Sequence, residues 1–223
     1  MTRPEGYRRC TMARLRKISR ILGNPAAREN AARVWLETSP TLFSIDPPAI
    51  FGRRAPIEIE IGAGKGEFII QRAREFPGRD FLAVELSSTI ARVMAVRCGR
   101  ANPGNLRVVR MDARTLVNLM LDSGSVDAFH IYFPDPWPKE RHIKHRLFTP
   151  VFAAGIYRTL IPGGAAYIAT DVGAYAEEIF PMMEAAGFVR AAENPPGAAH
   201  TGFALKFAAA RRPIFPASFR KPG

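Results

Sequence analysis

The chain has 223 residues and carries 32 Lys and Arg against 20 Asp and Glu, a formal net charge of +12 at pH 7. Hydrophobic residues make up 47% and charged residues 23% of the chain, which excludes a mostly disordered, collagen-like or coiled-coil protein. No apolar run approaches the roughly 20 residues of a membrane span, and no secretory signal is recognisable, so we expect a soluble, cytoplasmic protein. Cys10 and Cys98 form no CxxC pair and predict neither a disulfide framework nor a zinc ribbon.

The positive charge is concentrated in three blocks. Residues 1–54 carry 11 Lys and Arg against 4 Asp and Glu, residues 139–146 carry 4 against 1, and residues 200–223 carry 5 against none. Separate basic blocks favour a polyanionic partner over a uniformly solubilising surface, because they attract phosphates and contribute little to fold stability. Nucleic acid is therefore the leading class of partner.

The chain begins with a basic segment that differs in pattern from the rest. Apolar residues at three- and four-residue spacing predict a helix over residues 12–36, and Pro40, Pro47 and Pro48 predict a linker after it. We therefore divide the chain into a basic N-terminal arm with its linker at residues 1–54 and one larger domain at residues 55–223.

Strand and helix patterns alternate through the larger domain. Strands are predicted at residues 57–61, 81–84, 106–110, 128–133 and 165–169, and helices at 68–76, 88–99, 116–121, 149–160 and 174–186. Closing strands are predicted from Phe188 onward and over residues 203–208. This alternation predicts a doubly wound α/β fold, with helices on both faces of a mostly parallel sheet and a ligand at the carboxyl ends of its strands.

The strongest local motif is the run Glu60-Ile-Gly62-Ala-Gly64-Lys-Gly66 after the first strand. Glycines permit a sharp turn with positive φ and close approach to a ligand. Glu67 stands where a dinucleotide fingerprint needs another Gly, and no Gly-Lys-Ser/Thr sequence closes a P-loop. A carboxylate beside the turn repels a diphosphate and suits a cation. S-adenosylmethionine (AdoMet), which carries an ammonium and a sulfonium but no phosphate, fits this pattern.

Two further acids follow the next two strands. Glu85 ends the second strand, where a carboxylate can accept hydrogen bonds from ribose hydroxyls, and Asp112, followed by Ala113, comes after the third, where it can accept from an adenine amino group. Each acid alone is a common strand-end cap, but three at successive strand ends predict an AdoMet site. That site comprises Glu60, Gly62, Gly64, Gly66, Glu85, Asp112 and Ala113. Residues 57–171 resemble the Rossmann-like, class I methyltransferases.

A proline-rich segment follows the fourth strand, where a substrate would meet the cofactor. Three prolines in Phe133-Pro-Asp135-Pro-Trp137-Pro-Lys139 stiffen the loop that carries Asp135 and Lys139. The alternative is a turn that caps the sheet with Trp137 in the core. His142 and His145 lie in the basic run that follows, but no third ligand is evident, so we expect phosphate contact and no metal. Asp171 ends the fifth strand and faces the same crevice.

Five strings occur in the order EIGAGKGEF, FLAVELSS, YFPDPWPKERHIKHR, LIPGG and YIATD. Together they resemble the bacterial tRNA (guanine-N7)-methyltransferase family. The resemblance implies AdoMet-dependent methylation of N7 of a guanine in tRNA. We separately expect a monomer or a homodimer. It implies AdoMet contacts by Glu60, Glu85, Asp112 and Asp135, with Asp135 in the catalytic position; substrate contacts by Lys139, Asp171 and Thr201; and RNA contacts by Arg141, His142, Lys144, His145 and Arg146.

The chain departs from the family in one place. The family carries Thr-x-x-Glu before its last strand, whereas this chain has Ala204 three residues after Thr201. The loss of one charge-assisted hydrogen bond costs about 1.5–3 kcal/mol. Two alternatives therefore remain open: a methyltransferase of the same fold that acts on a small purine-like heterocycle, and a catalytically weak AdoMet- or RNA-binding module.

Overall fold

The computed structural model describes residues 22–37, 44–137, 141, 145–197, 201 and 212–223. Its strands are β1 Ile57–Ile61, β2 Asp80–Glu85, β3 Leu106–Arg110, β4 Val126–Tyr132, β5 Leu160–Thr170, β6 Val189–Ala191 and β7 Phe215–Arg220. Its helices are α1 Pro25–Ala32, α2 Pro47–Phe51, α3 Glu67–Glu75, α4 Ser88–Ala101, α5 Ala113–Thr115, α6 Pro150–Thr159 and α7 Gly173–Ala185, with a π-helical turn at Leu116–Met120 after α5. Within the described ranges, no helix combines the length and apolarity that a membrane crossing needs.

The described strands form one sheet of seven strands in the order β3-β2-β1-β4-β5-β7-β6. Strands β1 to β5 run parallel, and β7 is antiparallel to both of its neighbours. One apolar cluster packs α1, α3 and α4 on one face of the sheet, and another packs the π-helical turn, α6 and α7 on the other. The sheet confirms the predicted doubly wound, mostly parallel α/β fold, and the carboxyl ends of β1 to β5 meet at one edge.

Strand β1 is buried along its whole length, although its sequence alternates apolar and acidic residues. Glu58 is 1% exposed and Glu60 is 4% exposed, beside isoleucines that are equally buried. A central strand of a parallel sheet is covered on both faces, so side chains on neither face reach water. Both glutamates therefore need partners within the protein or from a ligand.

In its described part, the predicted helix over residues 12–36 is helical at Pro25–Ala32, but it is interrupted at Asn24 and ends four residues before the predicted end. The side chain of Asn24 accepts a hydrogen bond from the Ala27 N–H at the start of α1, and the helix ends at Ala32. Beyond it, Trp35 forms a parallel bridge with Val108 at the free edge of β3. A capping Asn followed by a Pro at the first helical position restarts the helix, and hydrogen bonding to the sheet edge then replaces helical pairing. Residues 12–21 lie outside the described part.

Part of the predicted linker belongs to the core. Ile45 is 1% exposed, and its N–H donates to the Met120 carbonyl at 2.7 Å. Pro47 opens α2 at a position where a missing N–H costs no helical hydrogen bond. The described part of the N-terminal arm also packs on the domain: a Cβ on Gly99 of α4 would lie 1.7 Å from the Asn30 carbonyl oxygen, so only Gly permits this approach of α1.

The last described strand was not predicted. The strand expected from Phe188 corresponds to β6, and the one expected over residues 203–208 lies outside the described residues. Strand β7 contains Pro216, which is a signal against a central strand. Its pairing with β6, however, covers only residues 218–220, so Pro216 lies beyond the doubly paired part of the strand.

Candidate active site

The turn after β1 uses three glycines with left-handed backbone conformation. The φ angles of Gly62, Gly64 and Gly66 are 72°, 57° and 75°. A Cβ on Gly66 would also lie 3.2 Å from the Met94 side chain and 3.3 Å from Cys98 Sγ, so a larger residue here would crowd α4 in addition to straining the backbone. The turn therefore holds its backbone at the carboxyl edge of the sheet without side chains in the way.

Glu60 lies directly behind this turn and carries an unsatisfied oxygen. Its Oε2 is buried and has no hydrogen-bond partner among the described residues. Burial raises the pKa of Glu60 well above its usual value, the nearby Glu67 and Glu85 raise it further, and the Ile69 N–H opposes them. A buried carboxylate that lacks a partner is costly, so this position suits a bound group that donates hydrogen bonds or carries positive charge.

The carboxylate of Glu85 is fixed at the end of β2. Its Oε2 accepts from the Gly64 N–H at 3.2 Å and its Oε1 accepts from the Ser87 N–H at 2.8 Å. Each carboxylate oxygen can accept more than one hydrogen bond, so Glu85 retains capacity for two hydroxyl donors. The structure therefore brings Glu85 and the glycine turn together, as the AdoMet interpretation requires.

Asp112 begins α5 and already has strong partners. It accepts from the Arg114 N–H at 2.7 Å, and its Oδ2 lies 3.0 Å from Arg114 Nη2. These hydrogen bonds from Arg114 outweigh burial and lower the pKa of Asp112, so the group is ionised. Ala113 beside it is buried. Asp112 thus caps α5, and its carboxylate oxygens keep lone pairs that can accept a hydrogen bond from a ligand.

The loop after β4 has a strained backbone and presents Asp135 to solvent. Phe133 and Trp137 have φ angles of 54° and 40°, which non-glycine residues adopt rarely and at a cost of order 1–3 kcal/mol each. The Phe133 N–H donates to the Ala169 carbonyl at 2.7 Å, which ties the start of the loop to β5. Asp135 is exposed at the edge where the strands end.

Arg146 holds this loop from behind. Its Nε donates to the Pro136 carbonyl at 2.9 Å, its Nη1 pairs with Glu178 of α7, and its guanidinium lies 5.3 Å from the Tyr175 ring centroid. The side chain is 15% exposed. Sequence reasoning assigned Arg146 to RNA contact, whereas the structure gives it partners within the chain. The reason is that α7 lies beside the loop, a proximity that the linear sequence does not contain.

Of the remaining predicted residues in the described part, two are partly or fully buried and two are exposed. Asp171 forms an ion pair with Arg212 at 2.6 Å, and Thr201 is 8% exposed. Arg141 is exposed, and the His145 ring centroid lies 5.4 Å from that of Trp137. The described residues include no group of three His, Cys, Asp or Glu side chains placed for a metal ion. Predicted residues outside the described part are Lys139, His142, Lys144 and Ala204.

A buried polar chain lies beneath the site and was missed by sequence reasoning. His130 is fully buried, with Nε2 2.9 Å from Glu58 Oε2 and Nδ1 2.8 Å from the Tyr132 hydroxyl. The Gly197 N–H donates to the same hydroxyl at 3.0 Å. Because ionised Glu58 only accepts, His130 Nε2 is the donor and its Nδ1 accepts from Tyr132. Burial lowers the pKa of His130, so the ring is neutral.

These hydrogen bonds link β4 to Gly197, in the segment before Thr201. A Cβ on Gly197 would lie 2.1 Å from the Tyr132 ring, so the backbone must approach the ring as closely as it does. One sequence feature could have indicated these contacts. Glu58 is a charged residue in a strand that a doubly wound sheet buries on both faces, so it needs a buried partner.

Comparison with known proteins agrees with this architecture. Residues 54–210, more than half of the chain, match the family model described as "Putative methyltransferase". The chain is 40% identical over 139 residues to the tRNA (guanine-N(7)-)-methyltransferase of Nitrosomonas europaea and 37% identical over 150 residues to that of Alkalilimnicola ehrlichii. These alignments cover 62% and 67% of this chain and only 62% and 63% of those relatives.

Solved structures share the fold at low identity. The 16S rRNA methyltransferase KamB superposes with a TM-score of 0.60 at 15% identity, covering 84% of this chain and 96% of KamB. An antibiotic-related methyltransferase gives the same TM-score at 16% identity, with 82% and 96% coverage. The family match, together with the glycine turn and the acids at the strand ends, confirms the resemblance inferred from the sequence motifs. The chain belongs to this methyltransferase family.

Proposed function

We propose that the protein transfers a methyl group from AdoMet to N7 of a guanine in tRNA. The observation that carries the cofactor half is the buried Oε2 of Glu60, which lies behind the left-handed glycine turn and has no partner in the part of the chain that the structure describes. The substrate half rests on the relatives named tRNA (guanine-N(7)-)-methyltransferase and on the loop that carries Asp135. The chain spans just over 60% of those relatives, so the activity, the substrate and the tRNA partner are proposals for this protein.

The residues at the carboxyl edge fit AdoMet chemically. Glu60 offers a buried acceptor for an ammonium, Glu85 offers acceptors for two ribose hydroxyls, and Asp112 with Ala113 lies where an adenine amino group needs an acceptor. When bound, the cofactor supplies a methyl group on a cationic sulfur. A cation beside Glu60 would favour the ionised carboxylate, because an opposite charge offsets the cost of burial.

Guanine N7 attacks with its ring lone pair and so needs no general base. As its bond to the methyl carbon forms and the bond from carbon to sulfur breaks, positive charge develops on the guanine ring and its N1–H becomes more acidic. In our proposal Asp135 accepts from the guanine edge and stabilises that charge, and Asp171 contacts the same base from the neighbouring strand. Thr201 and Lys139 are the other two residues that we propose to contact the substrate.

The decisive experiment is methyl transfer from labelled AdoMet to unmodified tRNA, followed by nucleoside analysis. We expect 7-methylguanosine as the labelled nucleoside. Binding of AdoMet without any labelled nucleoside would contradict the proposal and would point to a small heterocycle or to a binding role. A label in another nucleoside would keep the fold and the cofactor and replace the target atom.

Glu60 provides a test of the cofactor site that does not require turnover. Because its folded-state pKa is raised above the unfolded value, the ligand-free protein loses stability as pH rises above about 4.5. Glu60→Gln removes this cost, so we expect a melting temperature higher by about 2–4 °C per kcal/mol recovered. The same variant should bind AdoMet more weakly in calorimetry. Unchanged affinity would remove Glu60 from the proposed site.

Arg146 distinguishes loop positioning from RNA contact. We expect Arg146→Lys and Arg146→Ala to lower the single-turnover rate by about 10- to 100-fold. A lysine carries all its donors on one nitrogen, whereas Arg146 reaches the Pro136 carbonyl with Nε and Glu178 with Nη1. The affinity for tRNA should stay within about twofold, since the side chain is mostly buried. A Lys variant with wild-type rate and an Ala variant with a reduced salt dependence of binding would instead return Arg146 to the RNA surface.

A further inference from the structure

A groove lies at the outer edge of the sheet, beside the candidate active site. It has a volume of about 370 Å³ and is lined by Trp35, Leu36, Glu37, Ser88, Arg92 and Arg110. This volume lies within the range of roughly 300–1,000 Å³ that small-molecule sites occupy. None of these residues belongs to the proposed cofactor or substrate set, so the groove is separate from those two sites.

The walls of the groove are set by secondary structure. The segment that contains Trp35 runs along the edge of β3, where the Leu36 N–H donates to the Val108 carbonyl at 2.8 Å. Arg92 projects from the second turn of α4, and Arg110 is the last residue of β3. Arg110 is the register partner of Glu85 on β2. The groove therefore opens at the carboxyl edge of the sheet, one strand from the proposed ribose acceptor.

The charges of the groove favour an anion. Arg92 and Arg110 are exposed, and neither side chain has an ion pair or hydrogen bond with any residue in the described ranges. Glu37 is the one acid in the lining, so the groove keeps a net positive charge. AdoMet carries no phosphate, and its one carboxylate sits on the same carbon as the ammonium that Glu60 on β1 is proposed to bind, two strands away from Arg110. A phosphodiester fits the two guanidiniums, because guanidinium groups pair with phosphate oxygens in a fixed, two-pronged geometry.

We infer that this groove binds one nucleotide of the tRNA, with its phosphate on Arg92 and Arg110. The half-buried Trp35 supplies an aromatic wall for the base, and Glu37 supplies an acceptor for a base amino group. This inference rests on the proposed function, since it requires tRNA as the substrate. It adds a contact more than two strands away from Asp135, which would help to fix the orientation of the RNA over the sheet edge.

The test compares two variants of the full chain in tRNA binding across a range of salt concentrations. Arg92→Ala/Arg110→Ala removes the proposed contacts. Arg100→Ala is the control, because Arg100 is exposed on the same helix α4 about 12 Å further along, towards the opposite edge of the sheet. We expect the double variant to bind tRNA about 10- to 100-fold more weakly at low salt. The slope of log affinity against log salt should fall by about 0.7–0.9 per lost phosphate contact.

Each other outcome is informative. A double variant that matches Arg100→Ala in affinity and slope overturns the inference and leaves the proposed function intact. A double variant that binds AdoMet more weakly in calorimetry also overturns it, because the groove would then belong to the cofactor site. If the wild-type protein binds no tRNA, the proposed function fails and the inference fails with it. Thermal unfolding of the double variant should match the wild type, since both side chains are exposed.

Discussion

Replacing Asp135 with Ala is expected to lower methyl transfer to tRNA by about 100- to 1,000-fold at saturating AdoMet and tRNA. The physical reason is that Asp135 is proposed to stabilise positive charge that is present on the guanine only as the new bond forms. A group that acts on developing charge affects the rate of the chemical step more than the affinity for the substrate. Single-turnover transfer from labelled AdoMet measures this step directly.

Asp135→Asn is the sharper variant, because it keeps the shape and removes the charge. We expect it to retain most of the tRNA affinity and to lose most of the rate. Asp122→Asn is the matched control, since Asp122 is an exposed aspartate just before β4, at the opposite edge of the sheet. Because Asp135 is exposed, both variants should unfold at the wild-type temperature. A fully active Asp135→Ala protein would sink the assigned mechanism.

The second large effect concerns stability. Glu58→Ala is expected to lower the free energy of unfolding by about 3–5 kcal/mol. It leaves the buried His130 N–H without an acceptor and the mostly buried Arg72 guanidinium without its opposite charge. Glu58 is held by His130 at 2.9 Å, by Arg72 at 2.8 Å and by Arg79 at 3.3 Å. Urea unfolding at neutral pH measures the difference. The control Glu29→Ala breaks an exposed ion pair with Arg33 and should cost less than about 0.5 kcal/mol.

The same glutamate gives a pH signature. Burial alone would raise the pKa of Glu58, but hydrogen bonds and charge interactions with His130 and Arg72 lower it to about 2. Since the unfolded chain takes up the proton first as pH falls, the stabilisation is complete above about pH 4.5 and is lost progressively towards pH 2. It amounts to about 3 kcal/mol.

Glu58→Gln isolates this contribution. Its stability should fall less than that of the wild type between about pH 4.5 and pH 2, and the difference between the two curves should follow one proton. Equal slopes for both proteins over that interval would show that Glu58 is not held in its ionised form. Unfolding by urea at a series of pH values provides the comparison.

The alternation of strands and helices was readable from the sequence because it reflects local physics. The pattern predicted β1 over residues 57–61 and β3 over residues 106–110 with the bounds that the structure has. The left-handed conformation of the alternating glycines Gly62, Gly64 and Gly66 was also predictable, since other residues adopt positive φ only with strain. In both cases the information lies within a few residues of the position it describes.

Three elements were misread where a distant contact overrides local preference. The helix predicted through residue 36 gives way at Trp35 to pairing with the β3 edge, more than 70 residues away. Ile45, in the predicted linker, is buried in the core and donates its N–H to the Met120 carbonyl. Strand β7 forms despite Pro216 because β5 offers it an edge to pair with. Hydrogen bonding and burial supplied by other parts of the chain decided these segments.

The sequence by itself determined the fold class, the family and the acids at the carboxyl edge of the sheet, because residue type and spacing along single strands are enough to place them. Only the tertiary structure decided how those groups are supported. The Glu60 oxygen that lacks a partner among the described residues, the pairing of Arg146 with Glu178, and the hydrogen bond from His130 to Glu58 all depend on how separate segments pack together. Such contacts set burial, protonation and loop position, and linear spacing carries no information about them.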